Sequence, residues 1–152
     1  MSAKQELPSM AMEDTLARVE LFADLGKDDI ARLAKSTLTR DFKKGDVIVR
    51  ENEAGVAFYI VAEGSVEVVK GLGTPSEQVI GTVTAGSFFG EMALFDNHVR
   101  SASVRAATDC QCLVITKWDF NAEMSQNSHI AIAMLAVLAR RIRSLNEAAV
   151  TH

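Results

Sequence analysis

The sequence predicts an α+β fold in which an antiparallel β-roll, a double-sheet and jelly-roll-like barrel of about eight strands, is flanked by helices. Between about residues 37 and 115, short runs rich in Val, Ile and Tyr alternate with glycine-containing turns. Both ends of the chain instead place apolar residues at helical spacing. With 152 residues, 48% of them hydrophobic, the chain can form one sizeable core. We therefore expect a single domain over 1–152, with N-terminal helices at about 10–36 and C-terminal helices at about 116–148.

The N-terminal helices are predicted from two patterns. In MEDTLARVELF, Met12, Leu16, Val19 and Phe22 recur at the spacing of one helix face. GKDDIARLAKS is a second, short helix for which Gly26 is an acceptable N-cap, and the two aspartates that follow favour the positive end of the helix dipole.

The strands are delimited by turn residues. Lys44-Gly45 and Glu63-Gly64 each separate two β-type runs, and the second pair predicts a tight hairpin. GLGTPS predicts a longer loop, Gly81 and Gly86 are expected bend points, and Ala107-Thr108-Asp109 separates the last two strands.

The C-terminal region predicts two helices. Thr116 opens the first, with Asp119 placed as in a capping box. The second, from about Asn127 to Glu147, is the longest and is apolar on two sides. The two sides are Ile130, Met134, Val137 and Leu138, and Ile132, Leu135 and Ile142. Such a helix is expected to lie buried between two surfaces, the roll and a second subunit, which predicts a homodimer.

Charge and composition restrict the partners. A net charge of −4 and a pI near 5.4 argue against nucleic acid or an anionic membrane. No apolar run reaches the roughly 18 residues of a membrane span, and MSAKQELPSM lacks the apolar core of a signal peptide. Strand alternation places Cys110 and Cys112 on one face, where a bridge would be strained, so they indicate reduced thiols in a cytoplasmic protein. Neither they nor the scattered His98, His129 and His152 predict a metal site.

The segment GSFFGEMALFDNHVRSASVRA, residues 86–106, carries the chemistry. Arg100 suits an anion, because its planar guanidinium can bind two oxygens at once. A helical turn opened by Gly90 would present backbone N–H groups, and Glu91 is a suitable acceptor for a sugar hydroxyl. Ser101 adds a hydroxyl beside the arginine, and small residues leave room for a ligand: Ala93, Ala102 and Ser103. One phosphate and one hydroxyl describe a cyclic nucleotide; the alternative is a pair of solvated charges on a hairpin.

FFGEMALFDNHVRSASVRA, residues 88–106 and called the cassette below, closely resembles the phosphate-binding cassette of cyclic-nucleotide-binding domains. The family pattern is F-G-E-[LMI]-A-L, a few residues, and then usually Pro-Arg-[STA]-A-[ST]-V. The flanks are similar as well, in the right order from about residue 20 to 146: LFADLGKDDIARLA, FKKGDVIVRENEAGVAFYIVAEGSVEVV and LARRIR.

This resemblance implies a role for each residue of the cassette. Glu91 would bind the ribose 2′-hydroxyl, and Arg100 the exocyclic phosphate oxygens. Gly90 and Met92 would offer backbone contacts, and Ser101 would contact phosphate or base.

The resemblance also implies contacts outside the cassette. Val79 and Gly81 would line the base, and Arg141 would lie near the ribose acid. Leu145 and Asn146 occupy the positions where bacterial catabolite-activator-like members contact the base with hydroxyl side chains. This departure leaves the base preference open. Val99 in place of the usual Pro, preceded by His98, and the unusual order of ENEAGVAF are expected loop variations.

The expected function is therefore that of a regulatory sensor for cAMP, and also cGMP, in which the C-terminal helix closes over the base as a lid. No cofactor is expected, and no nucleophile–base pair predicts catalysis. An effector protein is an open partner. The alternatives are the regulatory half of a DNA-binding regulator, a gating domain from a channel, and a cupin-like metalloenzyme. The sequence ends at His152, where a regulator would begin its helix-turn-helix, so we expect no direct DNA binding.

Overall fold

A computed structural model describes residues 9–150 of the chain, with side chains from 11 to 148. The helices are α1 Ser9–Ala17, α2 Lys27–Lys35, α3 Lys117–Gln126 and α4 Ser128–Val150. Two 3₁₀ turns cover Glu20–Phe22 and Glu91–Leu94. The strands are β1 Leu38–Phe42, β2 Val47–Val49, β3 Ala57–Glu63, β4 Ser65–Lys70, β5 Gln78–Thr84, β6 Phe88–Phe89, β7 Ser103–Ala106 and β8 Cys110–Thr116.

The roll consists of two four-stranded antiparallel sheets, ordered β1-β8-β3-β6 and β2-β7-β4-β5 within the described part of the chain. The predicted α+β fold and the eight strands are confirmed. The predicted turns are also in place, since Gly45, Gly64 and Gly86 all have positive φ angles, which glycine adopts without strain.

Two buried clusters form the core. One fills the roll and includes Val61, Val66 and Phe89. The other joins the helices to the outer face of the first sheet and includes Phe22, Phe58 and Leu94. Because Leu94 belongs to the second cluster, its packing against the helices holds the 3₁₀ turn Glu91–Leu94 in place.

The helix starts follow the sequence signals. Gly26 caps α2, and the side chain of Asp29 accepts a hydrogen bond from the Gly26 N–H at 3.2 Å. The Thr116 hydroxyl caps α3 by accepting from the Asp119 N–H at 3.2 Å. The first predicted helix is interrupted, since α1 ends at Ala17 and a separate 3₁₀ turn brings Phe22 into the core.

The long helix α4 begins one residue later than predicted, at Ser128, and extends to Val150. Its first apolar side is buried, with Ile130 and Met134 fully enclosed. The second apolar side is exposed in the single chain, and its predicted contact with a second subunit stays a prediction. Ile132 is 67% exposed and Ile142 60% exposed, because the helix packs against its own domain through one side only.

Strand β5 contains a bulge that the sequence did not reveal. Val68 of β4 lies opposite Gly81, but the next residue, Val69, lies opposite Val79, so Ile80 is an extra residue in the ladder. A bulge of this kind interrupts the alternation of side chains between the two faces.

Cys110 and Cys112 are free and buried, as expected of small hydrophobes on one strand face. Burial raises the pKa of the Cys112 thiol to about 12, so it stays protonated at neutral pH. In the region from 9 to 150, no helix is both long and apolar enough to cross a membrane. The N-terminal segment considered for a signal peptide and His152 lie outside the residues whose side chains are described.

Candidate functional site

A cavity of about 530 Å³ lies between the second sheet and the cassette. This volume falls within the range of about 300–1,000 Å³ that is typical of small-molecule sites. The cavity is lined by Val49, Gly55, Val68, Val83, Phe88, Phe89, Gly90, Glu91, Met92, Ala93, Asp96, His98, Val99, Arg100, Ser101, Ala102, Val104 and Arg141.

The Arg100 side chain is held in place by two backbone carbonyl groups of the cavity wall. Its Nη2 donates to the Ala57 carbonyl at 2.7 Å, and its Nη1 lies 3.5 Å from the Gly90 carbonyl. The main chain of Arg100 also pairs with the segment before β3, since its N–H donates to the Glu53 carbonyl and its carbonyl accepts from the Asn52 N–H, both at 2.8 Å. The guanidinium is thus positioned before any ligand arrives, with further N–H donors left to offer.

Gly90 makes this approach possible. Its φ angle is +80°, which L side chains rarely adopt, and a Cβ built on it would lie 2.5 Å from Arg100 Nη1. The same Cβ would lie 3.2 Å from the Ala57 carbonyl oxygen. Only glycine satisfies the backbone angle and the close contact together.

The charge of the site is dominated by the half-buried guanidinium. Burial lowers the pKa of Arg100, while the nearby Tyr59 and Glu91 act in the opposite direction. Arginine remains protonated under these conditions, since its ordinary pKa is far above neutrality. The cavity therefore holds a permanent cation in a partly desolvated position, which favours an anionic ligand.

Glu91 lies at the start of the 3₁₀ turn and faces the same cavity as Arg100. A carboxylate accepts hydrogen bonds but does not donate them when ionised. The site therefore combines a cationic donor for an anion with an acceptor for a hydroxyl.

The remaining wall is apolar. Val68, Val83 and Val104 project from the second sheet, and Phe88 and Phe89 close the wall beside them. Tyr59 stacks on Phe89 with ring centroids 4.9 Å apart, which keeps that ring in place. A flat, largely apolar group fits this side of the cavity, opposite the charged end.

Eight of the twelve predicted site residues line this cavity, namely Gly90, Glu91, Met92, Ala93, Arg100, Ser101, Ala102 and Arg141. Val79 and Gly81 are not among these lining residues, and their contacts with the base stay a prediction. Val79 lies opposite Val69, and Gly81 lies opposite Val68, where a Cβ added to Gly81 would be 4.0 Å from the Val68 Cβ. Gly81 is therefore beside Val68 on the same face of the sheet. Leu145 and Asn146 lie beyond the cavity on the exposed end of α4, and Leu145 is 65% exposed.

Arg141 connects α4 with the cavity. Its guanidinium lies over the Phe88 ring, 5.2 Å from the centroid, and its Nε is 3.9 Å from a Glu20 carboxylate oxygen. One residue earlier, Arg140 Nη2 pairs with Asp24 at 3.0 Å. The end of α4 is therefore held near the roll by exposed charges rather than by apolar packing.

Gly55, Val68 and Val83 are wall residues that the sequence did not single out. A Cβ on Gly55 would lie 2.8 Å from Ala93 Cβ and 3.1 Å from Arg100 Nε, so this glycine leaves space for the arginine. The signal in the sequence is a glycine two residues before β3, in ENEAGVAF. No group of three or more metal-binding side chains occurs among the residues that the structure describes.

A β-roll with a preset arginine, an adjacent acid and an apolar wall defines a ligand-binding domain for a small organic anion. The family profile of the cyclic nucleotide-binding domain matches residues 39–127, and the chain belongs to this family. The domains of this family bind cyclic nucleotides and are regulatory rather than catalytic.

Relatives from different systems share the domain. The chain is 38% identical over 108 residues to human cGMP-dependent protein kinase 2, covering 70% of this chain and 14% of the kinase. It is 32% identical over 112 residues to the cAMP-dependent protein kinase regulatory subunit of Schizosaccharomyces pombe, covering 74% and 26%. The chain therefore spans only about a quarter or less of the length of these relatives.

Among solved structures, the N-terminal domain of a transcriptional regulator from Streptomyces coelicolor superposes with a TM-score of 0.79 at 30% identity. The match covers 89% of this chain and 94% of that domain.

Proposed function

We propose that this chain is a sensor for cAMP, with cGMP as a weaker ligand, and that it regulates an attached or associated effector without catalysing a reaction. The observation that most directly supports this proposal is the half-buried Arg100 guanidinium, which is held by the Ala57 and Gly90 carbonyls and faces the same cavity as Glu91. The similarity to a cAMP-dependent kinase subunit and to a cGMP-dependent kinase supports this ligand class.

In the proposed complex, Arg100 donates its remaining N–H groups to the exocyclic phosphate oxygens. Glu91 accepts the ribose 2′-hydroxyl, and Met92 and Ser101 lie where the backbone and a small hydroxyl can complete the polar shell. The purine packs on the valine wall of the second sheet. Each end of the ligand thereby meets a surface of matching polarity.

The C-terminal helix is proposed as the moving part. Every residue from 139 to 148 is exposed, and the charged contacts of Arg140 and Arg141 hold this half of α4 near the roll. Exposed ion pairs contribute only about 0–1 kcal/mol each, so the half-helix can shift at small cost. A ligand that contacts Arg141 better in the closed arrangement shifts the population towards it.

A homodimer is the second part of the proposal. Ile132, Leu135, Ala139, Ile142 and Asn146 lie at alternating spacings of three and four, the repeat of a coiled-coil seam, and all are exposed. They occupy the side of α4 opposite the buried Met134 and Val137. A polar Asn in such a seam sets register and favours a defined dimer. Asn146 is thus proposed to face a second copy rather than the ligand base.

Replacing Leu135 and Ile142 together by Ser is expected to raise the dimer dissociation constant at least about tenfold, because two apolar side chains per helix leave the seam. Both are exposed in the single chain, so the helix and strand content measured by circular dichroism should hardly change. Analytical ultracentrifugation measures the effect, with Ile80→Ser, at an exposed apolar residue of β5, as a control outside α4. An unchanged self-association would reject this interface.

Isothermal titration calorimetry tests the ligand directly. We expect saturable binding of cAMP, weaker binding of cGMP, and no binding of a cyclic dinucleotide, which carries two phosphates where the cassette offers the single guanidinium of Arg100. Absence of binding to cAMP and cGMP alike would refute the proposal.

The Glu91→Gln variant separates the ribose contact from general effects. We expect affinity for cAMP to fall about 3- to 10-fold, since a charge-assisted hydrogen bond becomes a neutral one. The affinity for 2′-deoxy-cAMP should change much less, because that ligand lacks the hydroxyl. Equal losses for the two ligands, measured by calorimetry, would mean that Glu91 supports the fold or Arg141 instead.

The regulated output is the open part of the proposal. A cytoplasmic effector is consistent with the two free cysteines, because disulfides are rare in the cytosol. The Streptomyces regulator domain favours the regulatory half of a transcription regulator as the second candidate, with a channel gating domain as the other.

A further inference from the structure

Lys117, the first residue of α3, makes contacts that the cyclic-nucleotide pattern does not explain. Its Nζ donates to the Asp96 carbonyl at 2.8 Å and to the Asn97 side-chain oxygen at 2.6 Å. Its own N–H donates to the Val56 carbonyl at 2.9 Å. One residue therefore binds two separate segments of the chain.

These two segments lie on either side of Arg100. Val56 directly precedes Ala57, whose carbonyl accepts from the Arg100 guanidinium. Asp96 and Asn97 belong to the cassette loop, residues 95–99, which leads from the 3₁₀ turn into Arg100. The position of the guanidinium thus depends on two segments that are joined at Lys117.

The hydrogen bonds from Lys117 to the cassette loop are expected to be strong. Lys117 is a half-buried residue whose ammonium donates to two oxygen acceptors, and charge-assisted hydrogen bonds are stronger than neutral ones. Phe95 in the same loop packs edge-on against Phe120 of α3 at 6.0 Å between centroids. The cassette loop and the first turn of α3 therefore form one packed unit.

We propose that Lys117 is a positioning residue: it holds the cassette loop so that Arg100 can receive the ligand phosphate, and it transmits ligand occupancy to α3. The inference rests on the proposed cyclic-nucleotide function and assigns the link between the pocket and the C-terminal helices to a named side chain. A movement of the loop on phosphate binding pulls on the start of α3 through the ammonium, and α3 packs in turn against α4.

The affinity test uses three lysine variants of the full chain with cAMP as the probe. Lys117→Met keeps the length and removes the donors, and we expect the dissociation constant to rise about tenfold. Lys117→Arg restores donors to the same oxygens and should recover most of that loss. Lys35→Met, at an exposed lysine that ends α2, is the matched control and should bind as the parent does.

Transmission has its own readout in Trp118, the one tryptophan of the sequence, which follows Lys117 and is 66% exposed. Saturating cAMP is expected to shift Trp118 emission in the parent chain and in Lys117→Arg. In Lys117→Met the shift should be lost even at saturation. A residue with a purely structural role would leave the shift intact once the site is full.

Asn97→Ala gives a second route, because it removes one acceptor of the Lys117 ammonium without altering α3. We expect an intermediate loss of affinity, because the Asp96 contact remains. The double variant with Lys117→Met should bind no more weakly than Lys117→Met alone, because methionine already removes both contacts.

Parent-like cAMP affinity in Lys117→Met overturns the positioning role, as does a loss that Lys117→Arg fails to restore. A Trp118 emission that ignores cAMP in the parent overturns transmission. If the parent chain binds no cyclic nucleotide, the proposed function fails first and this inference falls with it. Normal parent binding with an unaffected Lys117→Met rejects the inference alone.

Discussion

The Arg100→Ala variant is expected to lose cAMP affinity by about 10- to 150-fold. A hydrogen bond to a charged group contributes about 1.5–3 kcal/mol, and this range converts to that factor. The guanidinium is half-buried and already aligned by the Ala57 carbonyl, so little ordering is needed when the phosphate arrives. Calorimetry with cAMP measures the loss.

Two comparisons show whether the loss comes from the phosphate. Arg100→Lys keeps the charge but not the planar fork, so its affinity should lie between those of the parent and the alanine variant. Arg50→Ala removes an exposed arginine that follows β2 and should bind as the parent does. Adenosine, which has no phosphate, should bind to the parent and to Arg100→Ala with equally low affinity. An unchanged dissociation constant for cAMP would remove Arg100 from the site.

The cassette could be predicted because its chemistry is contiguous. Gly90, Glu91 and Arg100 lie within eleven consecutive residues, and one 3₁₀ turn and one loop suffice to bring them together. The predicted helix caps at Gly26 and Thr116 are correct for the same reason, since capping is decided within four residues.

The sequence is less informative where position depends on distant pairing. The resemblance implies that Val79 lines the base, but regular alternation of side chains along β5 is interrupted by the extra residue Ile80. A bulge is decided by how β4 and β5 register against each other, which short-range pattern does not encode. The resemblance also implies that Leu145 contacts the base, but the apolar packing of α4 ends near Leu138, and beyond it the charged contacts of Arg140 and Arg141 hold the helix.

Gly55 and Lys117 escape prediction because their roles are steric and long-range. A glycine before a strand is common, and only the 3.1 Å that would separate an added Cβ from Arg100 Nε shows why this one matters. Lys117 is distant in sequence from both Val56 and Asp96. Its contact with Val56 follows from the antiparallel pairing of β3 with β8, which brings Ala57 opposite Thr116.

The Gly90→Ala variant is expected to bind cAMP at least about tenfold more weakly than the parent, although the substitution adds only one methyl group. The positive φ angle costs about 1–2 kcal/mol in stability for an L residue. The new Cβ would also lie 2.5 Å from Arg100 Nη1 and 3.2 Å from the Ala57 carbonyl oxygen. The guanidinium must move away from the carbonyl that aligns it, so both the fold and the phosphate contact are affected.

Gly45→Ala separates these two effects. Gly45 has a φ angle of +93°, so alanine suffers comparable backbone strain, but no atom lies within 4 Å of its added Cβ. Both variants should lower the thermal midpoint, by about 2–4 °C per kcal/mol for a chain of this size. Calorimetry should then show parent-like cAMP affinity in Gly45→Ala and a large loss in Gly90→Ala. Equal affinities in the two variants would mean that the position of Arg100 does not depend on the absence of a side chain at residue 90.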